Sequence, residues 1–73
     1  MSAADKMAEM VSAGETLRDA VGNTYLVRGF VGHGAGAKIK LMRNRDNAER
    51  AIYADFAWWL WETGNLSKEG TKT

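Results

Sequence analysis

"DNAERAIYADFAWWLWET", residues 46–63, is the stretch whose reading decides the fold. Apolar residues recur in it at three- and four-residue steps, and Trp58, Trp59 and Trp61 crowd its second half. At about 100° per residue, Ala48, Ile52, Tyr53, Phe56, Trp59 and Leu60 share one arc, interrupted by Glu49. The spacing predicts one long helix over residues 46–63, with Asn44 or Asp46 as its cap and Gly64 as its stop. Such an arc is wide enough to cover a small sheet. Trp58 and Trp61 lie outside it, on a second stripe with Ala51 and Ala54.

A helix lying on a sheet needs one apolar stripe, so the second has two readings. In one, an N-terminal helix fills it, with Met7, Met10 and Val11 packed on the tryptophans; methionine adapts well to irregular aromatic surfaces. In the other, Trp58 and Trp61 face a partner, because tryptophan is enriched among interface hot spots and exposed apolar patches mark interaction sites. A homodimer through the stripe lies between the two.

Upstream, "AKIKLMR" at residues 37–43 alternates, Ile39 and Leu41 inward and Lys38 and Lys40 outward, as a half-buried strand does. "TYLVRGFV" at residues 24–31 is β-branched and aromatic and reads as the central strand. Tyr25, Val27 and Val31 would share one face, Leu26, Arg28 and Phe30 the other. Residues 15–21 read either as a first strand turning at Gly22-Asn23 or as a helix paired through Leu17 and Val21, and the hairpin is preferred. Residues 2–13 read as a short helix with Ala3, Met7, Met10 and Val11 on one face and Gly14 as its stop.

The expected fold is therefore α+β: a small antiparallel sheet of two or three strands, packed by a long C-terminal helix, with a short N-terminal helix. Residues 1–64 would form one compact domain, and residues 65–73, "NLSKEGTKT", a mobile polar tail. The expected core is Leu17, Tyr25, Val27, Val31, Ile39, Leu41, Ala48, Ile52, Phe56, Trp59 and Leu60.

The chain has 73 residues, no cysteine and a single histidine, so no disulfide and no zinc ligand set are in the sequence. No cofactor is expected. Ten Lys and Arg against nine Asp and Glu give a net charge near +1, which argues against a dedicated polyanion binder. The N-terminus has no apolar signal region, and no apolar run approaches the roughly 20 residues of a membrane span. The expectation is a cytoplasmic protein with no membrane partner.

The near-neutral total hides an asymmetry. Between Asp19 and Asp46 there is no acid, while Arg28, His33, Lys38, Lys40, Arg43 and Arg45 lie in that span. On the hairpin they would form either a phosphate-tracking patch or a solvated outer face whose lysines guard a strand edge. "GHGAG", residues 32–36, joins two strands instead of opening a helix and lacks a Gly-Lys-Ser/Thr ending, so it reads as a hairpin tip. His33 has no nucleophile or orienting acid near it in sequence, and catalysis is not expected.

The order helix, three strands, helix is similar to that of double-stranded-RNA-binding domains, although the helix start "NRDNAERA" lacks their lysine-rich character. Three strands followed by a helix also resembles the arm-type DNA-binding domains of phage integrases. A short, cysteine-free chain without a catalytic set looks like phage accessory proteins, anti-CRISPR inhibitors among them. The functional expectation is a small non-enzymatic module that occupies the surface of a protein or nucleoprotein, as an inhibitor or adaptor. Its contact residues would be Trp58, Trp61, Ala54, Arg28, His33, Lys38, Lys40, Arg43 and Arg45. The alternative is a nucleic-acid-binding domain using the basic hairpin, residues 28–45.

Overall fold

The computed structural model of the chain describes residues 3–69. The element order is α1 (Ala3–Met10), β1 (Thr16–Asp19), β2 (Thr24–Val31), a 3-10 turn (Gly34–Gly36), β3 (Lys38–Arg43), β4 (Ala48–Tyr53), α2 (Ala54–Glu62) and β5 (Leu66–Lys68). One five-stranded antiparallel sheet has the order β4-β3-β2-β1-β5. The fold is α+β, but the sheet has five strands, not two or three, and both helices are short. The order also departs from helix, three strands, helix, the basis of both element-order resemblances.

The long helix expected over residues 46–63 is a strand and a nine-residue helix. The cause lies in the turn before it. Arg43 clamps Asp46 through Nε and Nη2, at 3.0 and 2.9 Å. Asp46 Oδ1 also accepts the Ala48 N–H at 3.2 Å. That last bond is what a helix cap would make, so Asp46 looks the same from sequence in both roles. The next residue decides. Asn47 sits at φ 58°, a left-handed position that Asn tolerates and a helix does not continue from. The chain reverses there and Ala48–Tyr53 pairs with Lys38–Arg43 along its whole length.

The helix then starts at Tyr53, whose extended backbone is the N-cap. It ends as expected at Gly64, φ 81°, where the Asn65 N–H reaches the Leu60 carbonyl at 2.8 Å. Beyond it, Leu66–Lys68, expected in a polar tail, form β5 on the free edge of β1. Leu66 is 4% exposed. Residues 70–73 of the expected tail lie outside the described residues.

The core sits between the sheet and one helical layer. Met7, Val11, Leu17, Val27, Ile39, Leu41, Ala57 and Leu66 form its buried cluster, with Tyr25, Phe30, Ile52, Trp58, Leu60 and Trp61 packed around it. Each fully buried Met, Leu or Ile contributes about 1.5–3 kcal/mol relative to exposure. Three expected core members are on the surface instead: Val31, Phe56 and Trp59.

Val31 is displaced by a β-bulge. Val27 pairs with Leu41, but Gly29 pairs with Lys40, so one residue is skipped between them. The bulge switches the phase of β2. Phe30 turns inward beside Ile39, and Val31 turns outward beside Lys38. Gly29, at φ 141°, supplies the backbone conformation this needs.

Candidate functional site

α2 has two sides. Ala54 and Ala57 are buried and let the helix lie close against the rest of the protein, while Trp58 and Trp61 flank them, half-buried against the core cluster. The Lys6 ammonium of α1 lies 5.4 Å from the Trp58 ring. The stripe offered as a partner surface, Trp58 and Trp61 with Ala54, is thus turned toward the protein's own core. Ala51 leaves it altogether, being on β4.

The opposite side of α2 is the exposed one. Phe56 and Trp59 are 50% and 55% exposed. Their rings stack with centroids 6.0 Å apart and planes 18° from parallel, in the range of offset aromatic pairs. Asp55 and Glu62, both exposed, lie on the same outward side. Beside this ridge, Phe56 and Leu60 line a cleft of about 150 Å³ together with Tyr25, Leu41, Ile52 and Arg50. Arg50 makes no ion pair among the described residues.

Of the two readings of the Trp58–Trp61 stripe, the structure follows the one that packs it within the protein, against the cluster of Met7 and Val11, though Met10 is 42% exposed; the stripe expected to cover the sheet leaves Phe56 and Trp59 in solvent. Ala48 and Ile52, which widen the Phe56–Trp59 stripe when residues 46–63 are read as one helix, are on β4. On the nine residues of α2 alone, the alanines mark the side of close approach.

The basic residues do not form one patch. Arg28, Lys38 and Lys40 stand on the sheet face that no helix covers. Register places Lys38 beside Tyr53, and Lys40 beside Ala51. The Lys38 ammonium lies 4.9 Å from the Tyr53 ring centroid, and Tyr53 is 54% exposed. Arg28 contacts Glu49 at 3.5 Å, and Lys40 has no ion-pair partner among the described residues. Arg43 is at the other end of β3, roughly 17 Å from Lys38 at 3.4 Å per residue, and Arg45 lies in the turn beyond it. The Asp46 carboxylate that clamps Arg43 is held down at about 2 by that hydrogen bond and by the Ala48 amide. His33 is exposed in the β2–β3 loop, beyond the Lys38 end.

The molecule is therefore polarised. Four carboxylates (Asp5, Glu9, Asp55 and Glu62) and one cation (Lys6) lie on the two helices. Cations dominate the uncovered sheet face. Among the described residues, no three His, Cys, Asp or Glu side chains gather as a metal-binding group, and no helix is long and apolar enough to cross a membrane. No protein family matches this sequence, and no characterised protein or solved structure is significantly similar to it.

Proposed function

We propose that the chain is a small, non-enzymatic, cytoplasmic module that binds a protein through the outward face of α2 and acts by occupying the partner's surface, as an inhibitor or adaptor. One observation carries this reading: Phe56 and Trp59 stack on each other and, among the described residues, about half of each stays open to solvent. Large stacked rings beside an apolar cleft have the form of interface anchors. Asp55 and Glu62 beside them fit a partner cleft with a basic rim, and such charges raise association rate and select among partners.

A second reading keeps the uncovered sheet face for nucleic acid, because Arg28, Lys38 and Lys40 share it with an exposed tyrosine ring. Cations there would meet phosphates, and Tyr53 would offer a stacking surface.

Two pairs of substitutions separate the readings. Phe56→Ser with Trp59→Ser should abolish capture of the protein partner from extracts of the cell of origin, while Lys38→Glu with Lys40→Glu should leave it intact. Gel shifts at low salt on duplex DNA, single-stranded DNA and RNA test the alternative, whose affinity must fall steeply with salt. Binding to any of the three that survives the aromatic pair and is lost with the lysine pair would replace the protein reading.

A further inference from the structure

The sheet has two edges, and they are built differently. β5 is three residues long and is tied down by Arg18–Glu69 and Lys68–Glu15 ion pairs. β4 is six residues long, regular in register, and contains neither proline nor bulge. Its outer residues Glu49, Ala51 and Tyr53 are all exposed. A regular open edge of this length is a template for another strand.

Its backbone is oriented for that. The Ala54 N–H donates to the Ala37 carbonyl on the β3 side. By the alternation of antiparallel strands, the even-numbered residues of β4 turn their N–H and C=O groups toward β3. Glu49 and Ala51 turn theirs to the open edge, and so does the Tyr53 N–H; the Tyr53 carbonyl, at the N-cap of α2, faces the helix.

We infer that β4 pairs with β4 of a second copy, antiparallel, about a two-fold axis at Ala51. Three features select this occupant and this register. Facing residues in a continuous sheet must point to the same side, so a residue, not a peptide bond, lies on the axis. An axis at Glu49 or Arg50 would set like charges directly opposite each other, which is destabilising. An axis at Ala51 sets Glu49 opposite the partner's Tyr53, pairs both outward groups of Ala51 with those of its copy, and gives each Glu49 carbonyl the Tyr53 N–H across the axis. An axis at Ile52 leaves the Glu49 groups unpaired.

The side chains agree with the backbone. Lys38 already leans over Tyr53 toward the open edge, so in the dimer it is directed at the carboxylate of Glu49 across the axis. On the other face, Arg50, which makes no ion pair among the described residues, lies opposite Ile52 of the second copy. The axis is perpendicular to the sheet, so both α2 helices stay on one side, and the assembly presents two Phe56–Trp59 pairs in the same direction. The inference rests on the β4 edge and not on the aromatic pair, so either can fail without the other.

Sedimentation over a range of concentrations should show a species of twice the 8.0 kDa chain mass. Ala51→Glu tests the register: it places two carboxylates against each other on the axis, whereas within one chain the new carboxylate faces Lys40 and supports the fold. That variant should remain folded by circular dichroism and sediment as a monomer. In an equimolar mixture of isotope-labelled and unlabelled wild type, a filtered NOE between the α-protons of Arg50 and Ile52 of different copies should appear. That pair is too far apart within a regular strand to give it. A wild type that stays monomeric at every concentration, a dimer that survives Ala51→Glu, or a dimer without that NOE overturns the inference.

Discussion

The Tyr25 hydroxyl donates to Asp19 Oδ2 at 2.8 Å across the β1–β2 turn. The other oxygen of that carboxylate accepts the N–H groups of Val21, Gly22 and Asn23 at 3.0, 2.9 and 2.9 Å. One side chain therefore closes the turn and anchors a ring that lines the same cleft as Phe56. Asp19→Ala removes all four acceptor contacts and should cost about 1–3 kcal/mol. Asp19→Asn, which keeps an acceptor for the turn, should cost less. Urea unfolding of the two variants checks the order; equal losses would mean the turn amides contribute nothing.

Acid should unfold the protein through its carboxylates. Burial pushes the Asp19 carboxyl up, but the Tyr25 hydroxyl and the three turn amides outweigh it and hold the group below its ordinary value. Asp46 is held at about 2 by Arg43 first and the Ala48 amide second. A carboxyl whose folded value is depressed contributes stability above its unfolded value, near pH 4, and loses it as pH falls through the folded value. Midpoint denaturant concentrations should thus fall from about pH 4 downward, and Asp46→Asn should flatten that decline. At the other end, burial first and the Asp19 hydrogen bond second raise the Tyr25 hydroxyl. Its contribution is complete below the unfolded value, about pH 10, and drains above it.

Gly29 should tolerate no side chain well, although its surroundings are open. No atom lies within 4 Å of a Cβ built there, so the penalty is one of backbone conformation alone, at φ 141°. Gly29→Ala should cost on the order of 1–3 kcal/mol. Gly36→Ala, in equally open space at a φ that side chains adopt, should be far milder. Comparable thermal unfolding for both would remove the bulge's dependence on glycine.

The exposed aromatic pair of α2 and the buried core should separate by stability. Phe56→Ser and Trp59→Ser should each change it by no more than about 1 kcal/mol, as exposed substitutions do. Met7→Ala and Leu17→Ala, both fully buried, should cost about 2–5 kcal/mol. Acrylamide should quench Trp59 more strongly than Trp58 or Trp61 in variants that keep one tryptophan each.

β5 should be essential to the fold. Leu66→Ala should cost about 2–5 kcal/mol, as a buried leucine does. Truncation after Gly64 exposes the edge of β1 and uncovers Leu17, and should leave a chain without a cooperative thermal transition. A cooperative transition in the truncated chain would return residues 65–69 to the status of a tail.

What the sequence determined by itself is local. Alternation in "AKIKLMR" marked β3, Gly22-Asn23 marked the β1–β2 turn, and the spacing of Ala3, Met7, Met10 and Val11 marked one face of the first helix, of which Met7 and Val11 are buried and Met10 is not. Gly64 marked the end of α2. In each case the deciding interaction reaches only a few residues along the chain. The tertiary structure decided the rest. Ala48–Tyr53 is rich in helix formers, but propensities differ by only tenths of a kcal/mol per residue, and the ladder with β3 outweighs them. Leu66–Lys68 is too short to signal a strand and becomes one because β1 offers an open edge and the core a place for Leu66. The bulge at Gly29 reverses the inward and outward positions of β2 to suit Ile39 across the sheet. Which stripe of α2 met the core, and so which aromatic pair was left in solvent, depended on where β4 ended and on α1 lying beside Trp58. No single segment carried that information, because it is a property of how the segments pack.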